Sequence, residues 1–301
     1  MKREALASRL HLSTIGSDSR TVAVQYGLGL EIATFCTAAN LDQDAAWRRA
    51  TVLKDMSGLG SFWFHAPFAE LSPASIDPKV RAVTALRYRQ AVEMATSLGI
   101  SRLVIHSGFI PLVYFPEWFV EQSVVFWREF LREIPAGIAI ALENVMEPGP
   151  EMLVEIVRQV EDPRLGLCLD VGHANSRVSE TPPLDWISPM APYLRHVHLH
   201  NNDGDMDLHQ SLGEGSVPME AVIEAGATRM RPMFMTTLTT IVAMIPMAAA
   251  YGNAGKTMQG LALVDVGGLI VSTAMALLVL PVFYVIMSGK NQDKKEIIDV
   301  D

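Results

Sequence analysis

The sequence has only two cysteines, Cys36 and Cys168, too few for a disulfide framework, and their scarcity fits a reducing compartment. Its opening residues, MKREALASRLHLSTIG, contain no apolar core of the kind a signal peptide needs, so no secretory leader is expected. Basic runs are missing as well. With a formal net charge of −9, a general nucleic-acid binder is disfavoured, although a small anionic substrate held by a metal is not. No G-x-G-x-x-G turn follows the first strand-like run, and no internal repeat or low-complexity segment is visible.

What the chain has in excess is apolar residues, 50% of 301, with a mean hydropathy of +0.23. That excess lies after Ala225, while the part before it reads as an ordinary soluble protein. There, short apolar runs at 10–14, 29–36, 61–65, 102–106, 138–144 and 165–173 alternate with amphipathic segments at 20–26, 44–58, 77–98, 116–133, 149–160, 183–193 and 218–225. A seventh strand opens near Arg195. Asp77 is placed to cap the long helix, with Pro78 at its first position and Gly99 as its stop, and Asp42 or Asp44 is placed to cap the helix at 44–58. Strands alternating with helices imply a parallel sheet built from βαβ units.

Chemistry-bearing residues recur at the ends of these strands: His65, His106, Glu143, Asp170 and His198. A lone strand histidine is usually a hydrogen-bonded core residue, and Glu143 or Asp170 could simply cap the next helix. Repetition at the same end of successive strands weakens that reading. A (β/α)₈ barrel gathers all its strand ends at one mouth, which a doubly wound sheet does not, so a TIM-type barrel is expected. Around the seventh strand the stretch RHVHLHNNDGDMDLHQSLGEG, Arg195–Gly215, concentrates this chemistry. Alternation places His196, His198 and His200 on one face, and Asp203, Asp205, Asp207 and His209 follow in a loop. Imidazole with carboxylate suits zinc, manganese or iron, and a His-rich tract favours metal over a plain polar loop. Burying Glu143 and Asp170 unpaired would be costly, and a divalent cation is the positive partner both need.

The motifs HAPF, VIHSG, ALENV, LCLDVGH, HVHLHNNDG and DLHQSLGEG, between about residues 10 and 225, resemble the xylose isomerase-like TIM-barrel superfamily. That superfamily contains sugar phosphate isomerases and epimerases and the endonuclease IV class of abasic-site nucleases (AP endonuclease family 2). The resemblance implies that Glu143, Asp170 and His198 are the core ligands of a divalent metal, zinc, manganese or similar. It implies that His65, His106, His173, Asp207 and His209 match the additional zinc ligands of the nuclease branch. His200 stands where that branch usually has a small polar residue, as an extra ligand or a substrate contact. The first function implied is isomerisation or epimerisation of a small sugar, sugar phosphate or keto acid, with Glu143 as catalytic proton shuttle. The alternative is a zinc phosphodiesterase acting on abasic DNA, which the acidic charge disfavours.

From Arg229 the character changes. No charge falls between Arg231 and Lys256, and 261–287 is apolar apart from Asp265. Two such stretches read as a transmembrane hairpin in contact with a lipid bilayer. Arg229 and Arg231 on one side, and Lys290, Lys294 and Lys295 on the other, put the barrel and the tail in the cytoplasm at the inner membrane. RMRPMFMTTLTTIVAMIPMA and GGLIVSTAMALLVLPVFYV resemble the last two transmembrane helices of resistance–nodulation–division efflux transporters. No transport activity is implied, because the rest of such a transporter is not in this sequence. The expected organisation is a barrel over 1–225, a hairpin over 226–289 and a charged tail over 290–301. The barrel pattern calls for an eighth strand, usually ending in a glutamate, where this chain reads GATRMRPMFM. The barrel is therefore expected to stop after seven strand–helix units and to be catalytically impaired, or to act only as a membrane-tethered metal-binding chimera.

Overall fold

A computed structural model of the chain describes residues 9–229. Contacts divide the chain into two units, Met1–Ala225 and Gly226–Asp301. The apolar stretches expected to form the hairpin, with Asp265 and the basic residues beyond them, lie outside the described residues. Among the described residues no helix is long and apolar enough to cross a membrane.

Seven strands, β1 (His11–Ser13), β2 (Gly29–Ile32), β3 (Phe62–His65), β4 (Arg102–His106), β5 (Ala139–Glu143), β6 (Leu165–Asp170) and β7 (Leu194–His198), form one sheet in chain order. All six pairings are parallel. The helices are α1 (Ser19–Tyr26), α2 (Ala39–Asp42), α3 (Ala45–Met56), α4 (Pro78–Ser97), α5 (Pro116–Glu133), α6 (Glu151–Val160), α7 (Val171–Ala174), α8 (Pro183–Met190) and α9 (Met219–Arg229). This is a seven-stranded, half-barrel version of the TIM-type fold. β1 and β7 are its edges, and among the described residues no eighth strand lies between them. The edges approach through His11 and His196, whose ring centroids are 6.0 Å apart.

Alternation along each strand separates two layers. Leu30, Ile32, Phe64, Leu103, Ile105, Ile140, Leu142, Leu167 and Leu169 join the large cluster that packs against the helices. Trp63, Val104, Ala141 and Cys168, of opposite parity, form a small separate cluster inside the curl of the sheet. The same parity aims Glu31, His65, His106, Glu143, Asp170 and His198 inward. Register brings them level: Glu31 lies beside Trp63, His106 beside Glu143, Glu143 beside Cys168, and Asp170 beside His198. Outside, α5 buries Phe119, Phe126, Trp127, Phe130 and Leu131, and Trp127 stacks on Tyr88 of α4 at 5.9 Å. Each such aromatic or aliphatic side chain contributes about 1.5–3 kcal/mol by leaving water.

Local signals explain most boundaries. Asp77 accepts from the Lys79 N–H at 2.7 Å, Pro78 opens α4, and Gly99 beyond its end adopts φ +73°. Three expectations need correction. β2 stops at Ile32 rather than running to Cys36, because the Ala33 N–H turns to the Thr14 hydroxyl at 2.9 Å. Neither candidate caps α3: Asp44 occupies the N-cap position in a left-handed conformation without a side-chain bond, and Asp42 lies in α2 and accepts from Arg87. β6 stops at Asp170, whose carboxylate accepts from the His173 N–H at 2.8 Å and starts α7. The capping reading of Asp170 thus holds alongside its place in the site.

Candidate metal centre

Glu143 stands at the middle. Its side chain is 1% exposed, and its Oε1 lies 2.9 Å from Nδ1 of His198. The other oxygen, Oε2, is buried without a hydrogen-bond partner. Nε2 of His65 and Nε2 of His106 flank that oxygen, each at 3.4 Å. Around this point runs an arc of imidazoles. His198 neighbours His65, His65 neighbours His106, His106 neighbours His173, and His173 neighbours His200, with ring centroids 5.1–6.0 Å apart. His200 then stacks on His209 at 3.9 Å. Six of the chain's eight histidines therefore share one site.

Asp170 supplies the second buried carboxylate, 2.9 Å from Nε2 of His200 and 3.5 Å from Nδ1 of His198. Asp207 lies 3.2 Å from Nε2 of His173 and 3.1 Å from Nδ1 of His209. Every residue proposed from the sequence as a ligand thus reaches the site. Asp203 and Asp205 do not: Asp203 accepts from the Asp205 N–H, and Asp205 faces Arg177 at 3.4 Å. His196 points inward as expected, bonded to Glu31, stacked on Trp63 and edge-on to the His198 ring at 5.2 Å. His200 reaches the site only because Gly172 has no side chain. A Cβ there would fall 1.9 Å from the His200 ring.

Electrostatics fit a cation. Among the described residues no lysine or arginine pairs with Glu31, Glu143 or Asp170, and their neighbours are imidazoles. Burial raises a carboxyl, yet the imidazoles beside Glu143, His198 foremost, hold it well below the usual carboxylate range. Burial pushes His106 down to about 3, which keeps it neutral and able to coordinate. His173 is pushed the other way despite its burial, up to about 10, by Asp170 and Asp207. Buried oxygens without partners are rare and need an explanation. Donors of imidazole and carboxylate type converge on this one from several sides, which fits a divalent cation of the zinc or manganese kind. Overlapping groups could each hold one: Glu31, His65 and His198; His65, His106 and Glu143; Glu143, Cys168 and His198; Asp170, His173 and His200; and His200, Asp207 and His209, each with ligand atoms within 4.8 Å.

Sequence reasoning missed Glu31, Cys168 and Asn144. Cys168 is fully buried between Glu143 and His198, and burial pushes its thiol up to about 12. Asn144 braces β5 to β6 through both ends of its amide, bonding the Asp170 backbone at 2.7 and 3.0 Å. Glu31 had a visible signal, a lone carboxylate between Leu30 and Ile32 in an apolar run.

The chain belongs to the xylose isomerase-like TIM barrel family, whose profile matches residues 23–225. A second profile, that of the AcrB/AcrD/AcrF family, matches residues 206–288. That likeness starts 20 residues before Gly226, where the sequence reading began it, so the Asp207–His209 loop and α9 as far as Ala225 fall under both. An uncharacterized protein of Methanocaldococcus jannaschii, MJ1311, is 35% identical over 173 residues, which are 53% of this chain and 58% of that protein. This chain thus spans little more than half of that relative. The TTHB071 protein of Thermus thermophilus, solved after soaking with ZnCl2, is 29% identical with a TM-score of 0.60, over 74% of this chain and 89% of that one. A D-tagatose 3-epimerase-like protein is 26% identical with a TM-score of 0.59, over 72% and 85%.

Proposed function

We propose that the barrel is a metal-dependent isomerase- or epimerase-type enzyme acting on a small carbohydrate or keto acid. The observation that carries this reading is the Glu143 carboxylate, buried, ionised and half unsatisfied at the focus of the imidazole arc. Glu143, Asp170 and His198 would hold the principal cation, and His65, His106, His173, Asp207 and His209 would hold others. A bound divalent cation would supply Lewis-acid polarisation of a carbonyl and a neighbouring hydroxyl. Glu143 would take the proton from the hydroxyl-bearing carbon beside the carbonyl. The C–H pair becomes the C=C bond and the carbonyl π pair moves onto its oxygen, giving the enediolate. The proton is then delivered to the former carbonyl carbon while the neighbouring hydroxyl's proton passes to the other oxygen, so that the carbonyl re-forms one carbon along. Phe68, stacked on His106 at 4.3 Å and 40% exposed, offers an apolar wall against which the C–H face of a sugar can lie. Likeness to a D-tagatose 3-epimerase-like protein supports a carbohydrate substrate.

The number of ligand groups favours a second reading, a multi-zinc phosphodiesterase acting on abasic DNA. Charge weighs against it. The loop at 199–218 carries Asp203, Asp205, Asp207 and Glu214 and no lysine or arginine, a poor seat for a phosphate backbone. The two are separated by offering the metal-loaded chain a panel of ketoses and keto acids in D₂O, and a plasmid carrying abasic sites. Deuterium is expected to enter the carbon beside the carbonyl of at least one ketose or keto acid, with the plasmid left intact. Metal-dependent nicking without exchange would reverse the assignment.

A further inference from the structure

His65 and His173 share an arrangement. Each ties Nδ1 to a backbone carbonyl, His65 to Ala66 at 3.0 Å and His173 to Asn144 at 2.8 Å. That bond fixes the ring and leaves Nε2 facing a carboxylate, Glu143 for His65 and Asp207 for His173. His198 is turned the other way. Its Nδ1 faces Glu143 at 2.9 Å and Asp170 at 3.5 Å, so Nε2 is the nitrogen left to be tied. No carbonyl does this. Glu31 does, from β2 on the far side of the curled sheet, at 3.1 Å.

We infer that Glu31 is a positioning residue for the metal centre, holding the proton of His198 on Nε2 so that Nδ1 is presented to the cation. The inference rests on the reading of Glu143, Asp170 and His198 as metal ligands. Three observations carry it beyond a structural tie. Glu31 is 5% exposed, and among the described residues no lysine or arginine pairs with it; its ion-pair partners there are the imidazoles of His196 and His198. It backs His198 with a carboxylate where backbone carbonyls back His65 and His173. An anion behind the ring makes the imidazole a stronger donor as well as an oriented one. The carboxylate is itself fixed, because Nε2 of His196 donates to its Oε2 at 2.8 Å. His196 in turn is stacked on Trp63 at 4.2 Å and edged by His11. The tie spans β2 and β7, from the strand next to one edge of the described sheet to the strand at the other edge.

The test is Co(II) titration of the full-length chain, purified in mild detergent and stripped of metal, beside Glu31→Gln, Glu31→Ala and His196→Gln. Glu31→Gln keeps shape and an acceptor oxygen but loses the charge. Glu31→Ala loses both, and His196→Gln removes only the brace behind Glu31. Co(II) affinity is expected to fall in the order parent, Glu31→Gln, Glu31→Ala, reaching ~10–100-fold for the alanine variant. His196→Gln is expected to stay within about threefold of the parent on the same scale. Should Glu31→Ala fail to fold, Glu31→Gln decides alone. Equal affinity in parent and Glu31 variants, or a loss in His196→Gln as large as in Glu31→Ala, would overturn the role. A parent that binds no Co(II) would instead remove the metal centre itself, and the proposed function with it.

Discussion

Glu143→Gln is expected to cut deuterium exchange at the carbon beside a substrate carbonyl by ~10²–10⁴-fold, the usual worth of a general base. The fold is expected to survive. Glutamine has nearly the same shape, and the substitution removes a buried charge along with the imidazole attraction that offsets its burial. Melting temperature should fall in the metal-free chain, because the lowered Glu143 carboxyl is net stabilised by its imidazole partners and its loss leaves His198 without that partner; exchange, compared well below the melting transition, should collapse. His106→Gln makes the contrast: that ring is already neutral, so its loss is expected to weaken metal binding more than proton transfer. Exchange in Glu143→Gln within threefold of the parent would remove Glu143 from the chemistry.

A larger gain is expected from completing the barrel. The described sheet ends at β7, and its edges meet only through side chains such as His11 and His196. Open edges leave unpaired backbone groups and invite association with other chains. On the proposed reading Glu143 is the one carboxylate among the described residues assigned as a base, and inversion at a carbon needs a second on the opposite face. A lone base returns the proton to the face it left, so that reading predicts isomerisation rather than epimerisation for the native chain. Grafting an eighth strand with a terminal glutamate, and its helix, after Ala225 is expected to raise epimerisation by ~10²–10⁴-fold, the worth of the added acid. Solubility should rise with it. A native chain that already matches the graft in both would refute the account of an incomplete, impaired barrel.

Much of the site was legible because parity and position act together. β4 and α5 fall at the residues the hydropathy pattern gives, and the inward residue at the end of each strand from β3 to β7 is one of the candidate site residues. Glu31 was not found because β2 read as a longer apolar run, which hid the alternation that turns Glu31 inward between Leu30 and Ile32. Asp203 and Asp205 looked equivalent to Asp207 in the sequence. They separate only through the loop's path, which spends one on the backbone and the other on Arg177. His200 reads as an addition to the family pattern, and its counterpart, Gly172, makes sense only once the clash is seen. The junction was harder still. Residues 206–225 satisfy the barrel and the transporter patterns at once, since an amphipathic helix such as α9 suits either.

The most direct test of the central claim is a metal count. Full-length chain and a Glu143→Gln/Asp170→Asn variant are purified alike, equilibrated with zinc or manganese, freed of loose ions and analysed for metal per polypeptide. At least one tightly held equivalent is expected in the parent, with a clear loss in the variant. Equal metal content in the two proteins would contradict the claim that the carboxylates at the ends of β5 and β6 hold the cation.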